Sequence, residues 1–202
     1  MKKKAKLFFK RFADIFLSLL ILIIFFPFLL VLAILIKLTS KGPVMFTHER
    51  PGKNRKLFKI YKLRTMYLGS ETMVKGQEVL KDDDRITSIG KFLRRAKIDE
   101  LPQILNIIKG EMSLIGPRPE RVASLEEYNY EIEKRLNVRP GMTGLAQVSG
   151  NIYLELEDRY KYDVYYAEHF SILLDIKIIL RTFGVVLFGE EKYKHKPLIS
   201  IK

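Results

Sequence analysis

No cysteine occurs among the 202 residues, so neither a disulfide framework nor a thiolate metal site is available, and any metal must be bound through oxygen. Histidine is nearly as scarce, and His48, His169 and His195 lie too far apart to form a ligand cluster. Acidic residues are almost missing from the first part of the chain. Residues 1–64 carry 15 Lys and Arg against Asp14 and Glu49 alone, whereas residues 65–202 carry 21 of each sign. The net charge of +13 therefore sits wholly beside one hydrophobic segment. A nucleic-acid binder spreads its basic residues over a folded face; this distribution points instead to a membrane surface of anionic lipid, and to no nucleic acid.

Charge is absent altogether from Ile15 to Ile36, 22 residues reading IFLSLLILIIFFPFLLVLAILI. At about 1.5 Å per residue, a helix of this length reaches across the hydrocarbon core. A cleaved signal peptide does not fit, because the run leads into Lys37-Leu38-Thr39-Ser40-Lys41 without a small-residue cleavage site. Basic residues flank both ends, and the positive-inside rule then asks for both ends in the cytoplasm. A helix broken at Pro27 meets that demand by re-entering the same face, since proline removes one helical hydrogen bond and clashes with the preceding turn. A kinked single-pass helix is the alternative.

The polar remainder reads as α+β, mostly α. Val44 to Thr47 and Leu57 to Tyr61 are β-prone and alternate around the turn Arg50-Pro51-Gly52-Lys53-Asn54, which predicts a small hairpin at the membrane surface, its second strand ending in Lys62 and Arg64, candidates either to meet phosphates or to face solvent and lipid. Residues 67–87 lack periodicity and suit a mobile loop or lid, with a short helix at 73–80. A basic helix from Ser88 to Lys97 precedes Asp99 and Glu100. A second helix from Leu101 to Lys109 follows them and stops at Gly110. Ser113 to Pro119 forms a stiff turn holding Arg118. Residues 120–137 carry Val122, Leu125, Tyr128, Ile132 and Leu136 on one helical stripe. Arg139 to Asn151, with three glycines and a proline, reads as a shaped loop. Helices are expected over 155–168 and 170–188, the second of them interfacial and amphipathic, followed by a loose polar tail. The boundaries follow: a basic N-terminus and membrane helix over 1–41, a helical domain over 42–188, a tail over 189–202.

Asp99 and Glu100 ahead of Pro102 also suit an ordinary helix start, where acidic residues complement the helix dipole. The succession of motifs carries the chemistry further: Lys59 to Met66, DDRITSIG ending at Gly90, DELPQ from Asp99 to Gln103, SLIGPRP from Ser113 to Pro119, RPGMTGLAQV from Arg139 to Val148, and YDVYYA from Tyr162 to Ala167. In this order they resemble the bacterial sugar transferases, the monotopic phosphoglycosyl transferases, over roughly residues 8–188. The likeness is to the minimal, single-domain form that initiates lipid-linked glycans in bacterial N-glycosylation.

The resemblance implies an enzyme of the bacterial inner membrane with its catalytic domain on the cytoplasmic face. The expected reaction takes a phospho-sugar from a UDP-sugar, with a lean towards an N-acetylated amino sugar, to polyprenyl (undecaprenyl) phosphate. It gives polyprenyl-diphospho-sugar and UMP through a covalent aspartyl phospho-sugar, and the product passes to downstream glycosyltransferases. It implies Asp99 as nucleophile, Glu100 as its catalytic partner, both of them at Mg2+, and Lys62, Arg94 and Arg118 on phosphate oxygens. Asp163 and Asn151 are expected near the metal, substrate or nucleotide. Two positions depart from the family: Phe26 precedes Pro27 where a serine is frequent, and Asn151 follows Gly150 where an arginine is frequent. A membrane-bound phosphohydrolase of diphosphate lipids and a non-catalytic anionic-lipid binding module are the competing readings.

Overall fold

The computed structural model describes residues 3–70 and 83–201. Of the loop or lid expected over 67–87, residues 71–82, with the short helix at 73–80, fall outside the described residues; its two flanks are tied together, the Tyr67 amide donating to the Arg85 carbonyl at 3.0 Å. Helix α1, Lys3–Thr39, contains the whole apolar run and does not end at Pro27. By length and composition it is long and apolar enough to cross a membrane. The expected break is therefore not an interruption, as proline removes one hydrogen bond while the rest of the ladder continues past it.

Both ends of α1 return to one body. Before the proline, Asp14 is buried and its Oδ1 accepts from the Ser113 hydroxyl and the Leu114 amide, each at 3.1 Å. Lys10 pairs with Asp175 at 2.7 Å. Arg11 donates to the carbonyls of Ile107 and Ile108 at 2.6 and 2.9 Å. After the proline, Leu32 and Ile36 are buried with Leu63 and Leu93. Residues 23–28 between them are all exposed. An apolar surface open on every side is the signature of lipid contact rather than of a protein core.

The hairpin forms as expected, from strand β1, Met45–Pro51, and strand β2, Leu57–Leu63, antiparallel with Met45 opposite Leu63 and Arg50 opposite Phe58. Alternation turns Phe58 and Ile60 into a core with Ile107 and Met112. Arg64, read from sequence as a phosphate ligand candidate, is 5% exposed and closes the end of α1 instead. Its guanidinium donates to the carbonyls of Ser40 and Lys41, just past the helix, at 2.8 and 2.9 Å, and to the Ile36 carbonyl in the last turn at 3.4 Å, a group that a helix C-terminus leaves short of partners.

Helix α2, Ser88–Arg95, is capped by the Thr87 hydroxyl, which accepts from the Gly90 amide. A 3-10 turn, Ile98–Gln103, and helix α3, Ile104–Lys109, follow, ending at Gly110 with φ +89°. Strand β3, Ser113–Ile115, pairs in parallel with strand β4, Gly141–Thr143. This ladder was not foreseen. It explains two glycines, because a Cβ on Gly141 would stand 2.1 Å from the Gly116 amide and one on Gly116 2.3 Å from the Arg139 carbonyl.

The single helix expected over 120–137 is three short pieces: a 3-10 turn at Val122–Glu126, helix α4 at Tyr130–Glu133 and a 3-10 turn at Lys134–Asn137. Asn129 caps α4, its side chain accepting from the Ile132 amide, and so restarts the chain mid-stripe. The shaped loop from Arg139 to Asn151 is likewise part regular, containing β4 and helix α5, Leu145–Val148. Helix α6, Leu156–His169, and helix α7, Ile172–Phe188, pack with it around Tyr166, Leu174 and Ile178. Leu173, Ile176, Leu180, Phe183 and Leu187 form an exposed stripe on α7 at helical spacing, as an interfacial helix requires. The tail is not loose: Leu198, Ile199 and Ile201 pack on the same core, and Tyr193 is buried.

Candidate functional site

Asp99 and Glu100 do not lie ahead of a helix but inside the 3-10 turn, between Lys97 in the left-handed region (φ +56°) and Pro102. Pro102 fixes its own φ and has no N–H to donate, so the segment starts tightly and becomes α-helical only at Ile104. This turn packs along β2, which brings Lys62 to Glu100. The Lys62 ammonium donates to Glu100 Oε1 at 2.8 Å. Arg118 closes on the same carboxylate with both arms of its guanidinium, Nη2 to Oε1 at 2.6 Å and Nη1 to Oε2 at 3.1 Å. Three residues far apart in sequence thus meet in one cluster. Burial alone would raise the Glu100 carboxyl, but Arg118 and Lys62 outweigh it and hold that group well below the usual carboxylate range.

Asp99 is in the opposite condition. It forms no ion pair among the described residues. Burial pushes its carboxyl up, the Glu100 charge adds to that, and Lys62 and Arg94 only partly offset it. A carboxylate held without direct cationic contact is a more basic and more available oxygen nucleophile than its clamped neighbour. Arg94 reaches the site from α2 and donates through Nε to the Thr65 hydroxyl at 2.9 Å.

Lys62, Glu100 and Arg118 line an open cleft together with Arg50, Gln103 and Arg121. The last three were missed by sequence reading. Arg50 and Arg121 sit within a turn motif and a helix-like stripe, where nothing local marks them. Gln103 was quoted only as part of a motif.

Asp99 and Arg94 adjoin this lining without being part of it, and two further expected residues lie elsewhere. Asp163 does not border the cleft; it is 2% exposed and pairs with Arg135 at 2.5 Å. Arg135 in turn stacks between the rings of Tyr128 and Tyr160, 5.5 and 5.0 Å away, and donates to the Arg118 carbonyl at 2.7 Å. Asp163 therefore supports the peptide that carries Arg118, and its carboxylate is committed to a buried cation rather than to a metal or nucleotide. Asn151, with φ +49°, donates to Glu190 at 2.9 Å, and Glu190 also pairs with Lys97. Its amide ties the tail to the segment before Asp99 and leaves the cleft untouched.

Among the described residues no group of three or more His, Asp or Glu side chains is arranged to hold a metal. The two adjacent carboxylates nevertheless fit a hard cation such as Mg2+, which takes one or two protein carboxylates and completes its shell from phosphate oxygens and water. The uncompensated Asp99 is the observation that favours such an ion.

The sequence profile of the bacterial sugar transferases matches residues 5–189. The chain is 42% identical over 189 residues to the UDP-N-acetylgalactosamine-undecaprenyl-phosphate N-acetylgalactosaminephosphotransferase of Aeromonas hydrophila, covering 90% of this chain and 44% of that protein. It is 44% identical over 182 residues to the UDP-glucose:undecaprenyl-phosphate glucose-1-phosphate transferase of Klebsiella pneumoniae, covering 86% of this chain and 39% of that protein. The chain thus spans about two fifths of the length of these two relatives. Against the exopolysaccharide production protein PSS of Rhizobium leguminosarum bv. phaseoli it is 43% identical over 189 residues, covering 88% of this chain and 93% of that protein. With the profile matched across the apolar helix, the carboxylate pair and the glycine-rich ladder alike, the chain belongs to the bacterial sugar transferase family.

Proposed function

We propose that this chain is a phosphoglycosyl transferase, moving a phospho-sugar from a UDP-sugar to polyprenyl (undecaprenyl) phosphate as the first membrane step of glycoconjugate biosynthesis. The single observation that carries the proposal is the contrast at the carboxylate pair: Glu100 is clamped by Lys62 and Arg118, and Asp99 beside it is left without an ion pair. An Asp99 oxygen attacks the phosphorus that bears the sugar. The bond from that phosphorus to the bridging oxygen breaks, and UMP leaves with the electron pair. An oxygen of polyprenyl phosphate then attacks the aspartyl phospho-sugar, the Asp99 O–P bond breaks, and the carboxylate is restored while polyprenyl-diphospho-sugar forms.

Lys62, Arg94 and Arg118 supply the cationic field that two phosphates need when they approach a carboxylate. Mg2+, held through Asp99 and Glu100, would neutralise diphosphate charge when bound. The basic flanks of α1 and its return to a single body support a re-entrant anchor, with the domain on the cytoplasmic face of the inner membrane.

For the sugar we propose an N-acetylated amino sugar. The Aeromonas relative's name gives N-acetylgalactosamine and the Klebsiella relative's gives glucose, so a panel of UDP-sugars assayed with undecaprenyl phosphate decides the point. Release of UMP that depends on the lipid, together with a phospho-sugar mass on Asp99 when the lipid is omitted, is the expected result. Free phosphate released without any acceptor would replace transfer by hydrolysis of diphosphate lipids. Lack of the adduct under turnover conditions would remove the covalent route. Downstream glycosyltransferases would then extend the product.

A further inference from the structure

The cleft beside Glu100 holds more positive charge than Glu100 can answer. Lys62 and Arg118 both bond that carboxylate, whereas Arg50 and Arg121 face the same cleft and form no ion pair among the described residues. Glu120, also on the cleft wall, reaches Arg50 only as a distant charge.

Arg50 is aimed, not loose. Its Nε donates to His48 Nε2 at 2.8 Å, and its two terminal nitrogens have no acceptor among the described residues. His48 is pinned against the Phe46 ring, 5.4 Å away. Burial, then the charges of Arg50 and Lys62, push its imidazole down to about 4, so the ring is neutral at physiological pH and its nitrogen accepts. Gln103 gives a second, independent sign. It is 2% exposed, it borders the cleft, and its side-chain amide has no hydrogen bond among the described residues. The amide borders the open cleft, where a ligand can complete it.

The hairpin register gives the cleft a direction. Lys62 lies opposite Phe46, next to the pair Met45 and Leu63 where α1 packs; Arg50 lies four residues further along β1. At about 3.3 Å per residue, its backbone stands roughly 13 Å along the strand from that of Phe46, so the two groups of cations are separated along the hairpin.

We infer that Arg50 and Arg121, with the amide of Gln103, hold the nucleotide-side phosphate of the UDP-sugar, and hold it again in UMP before release. His48 is a positioning residue that presents the Arg50 fork. This inference rests on the transfer reaction proposed above and adds to it where each phosphate lies: the sugar-bearing phosphate by Asp99, Lys62 and Arg118, the uridine-bearing phosphate by Arg50 and Arg121.

The test uses the full chain in nanodiscs with Arg50→Ala and Arg121→Ala. Arg121 is exposed, so its variant reports even where Arg50→Ala folds poorly. Each variant should raise KM for the UDP-sugar and the inhibition constant of UMP about tenfold or more, as loss of a charge-assisted contact does, while KM for undecaprenyl phosphate stays within about twofold. UMP alone should raise the melting temperature of the wild type and do so less in either variant. A selective rise in the lipid KM would assign these arginines to the acceptor and overturn the inference. So would unchanged KM values and an unchanged UMP response. A wild-type protein that turns over no UDP-sugar, yet still gains stability from UMP through Arg50 and Arg121, would sink the transfer reaction and leave the nucleotide subsite standing.

Discussion

Two carboxylate–guanidinium pairs stand close together and do different work. In the open pair, Arg118 is 44% exposed and Glu100 18% by side chain; in the sealed pair, Arg135 is 1% and Asp163 3%. They are linked through the Arg118 peptide, whose carbonyl accepts from Arg135. In the sealed pair both charges have lost water and depend wholly on each other, on Tyr128 and on that carbonyl. Such a pair is costly to break, and although Asp163 Oδ1 has no hydrogen bond among the described residues, it is sealed away from the cleft. In the open pair the partners remain hydrated, contribute little to stability and can trade contacts with phosphate. Residue type does not distinguish the two; solvent does.

The largest effect that would sharpen this contrast is on turnover. Asp99→Asn should reduce UMP release to background while the denaturation midpoint holds or rises, since it removes a charge that burial penalises. A variant with substantial turnover would remove Asp99 from the chemistry, whereas no turnover in the wild type would favour the non-catalytic module. Next comes the sealed pair. Asp163→Ala leaves the buried Arg135 unanswered and should cost about 3–5 kcal/mol in denaturant unfolding; a change near zero would mean that solvent reaches the pair and the contrast fails. In the open pair, Arg118→Lys keeps the charge but loses the fork, and should lower kcat/KM about 100-fold with a stability change of roughly 1 kcal/mol or less. A large loss of stability there would make the two clusters alike.

The smallest effect is a displacement of the pH profile. Asp99 acts as a carboxylate, and its pKa is raised first by burial and then by Glu100. The wild-type acid limb of kcat/KM should therefore lie above the ordinary aspartate range. Glu100→Gln removes a neighbouring negative charge and frees Lys62 and Arg118, so Asp99 loses its proton at lower pH and the limb of the residual activity should move down. A limb that stays or moves up would detach Asp99 from it.

What the sequence made legible follows from how local each signal is. The apolar run, the hairpin and the long helices α6 and α7 are written in unbroken periodicity, and the structure contains all of them. Lys62, Glu100 and Arg118 were placed at one site through motifs, and the structure brings them into contact. The parallel pairing of β3 with β4 joins segments almost thirty residues apart, three residues each, too short for any pattern to show. The stripe from Val122 to Leu136 has helical spacing, yet the Asn129 cap divides it. Asp163 and Arg64 look from sequence like ligands because charge is visible there and burial is not. The tail reads as polar, but it is Leu198, Ile199 and Ile201 that decide its place.

Strand β2 and the two residues after it carry a mechanical consequence. Lys62 faces Glu100, Leu63 faces α1, Arg64 grips carbonyls at the end of α1, and the Thr65 hydroxyl accepts from Arg94. Four successive residues thus serve, in turn, the chemistry, the anchor, the anchor and the chemistry. The strand is a gauge with no adjustment, setting the position of the reacting groups relative to the end of α1 to within one peptide. Deleting a single residue here would exchange the faces, turning Lys62 away from Glu100 and Leu63 away from α1, so the site and the seat of the apolar helix can only be lost together.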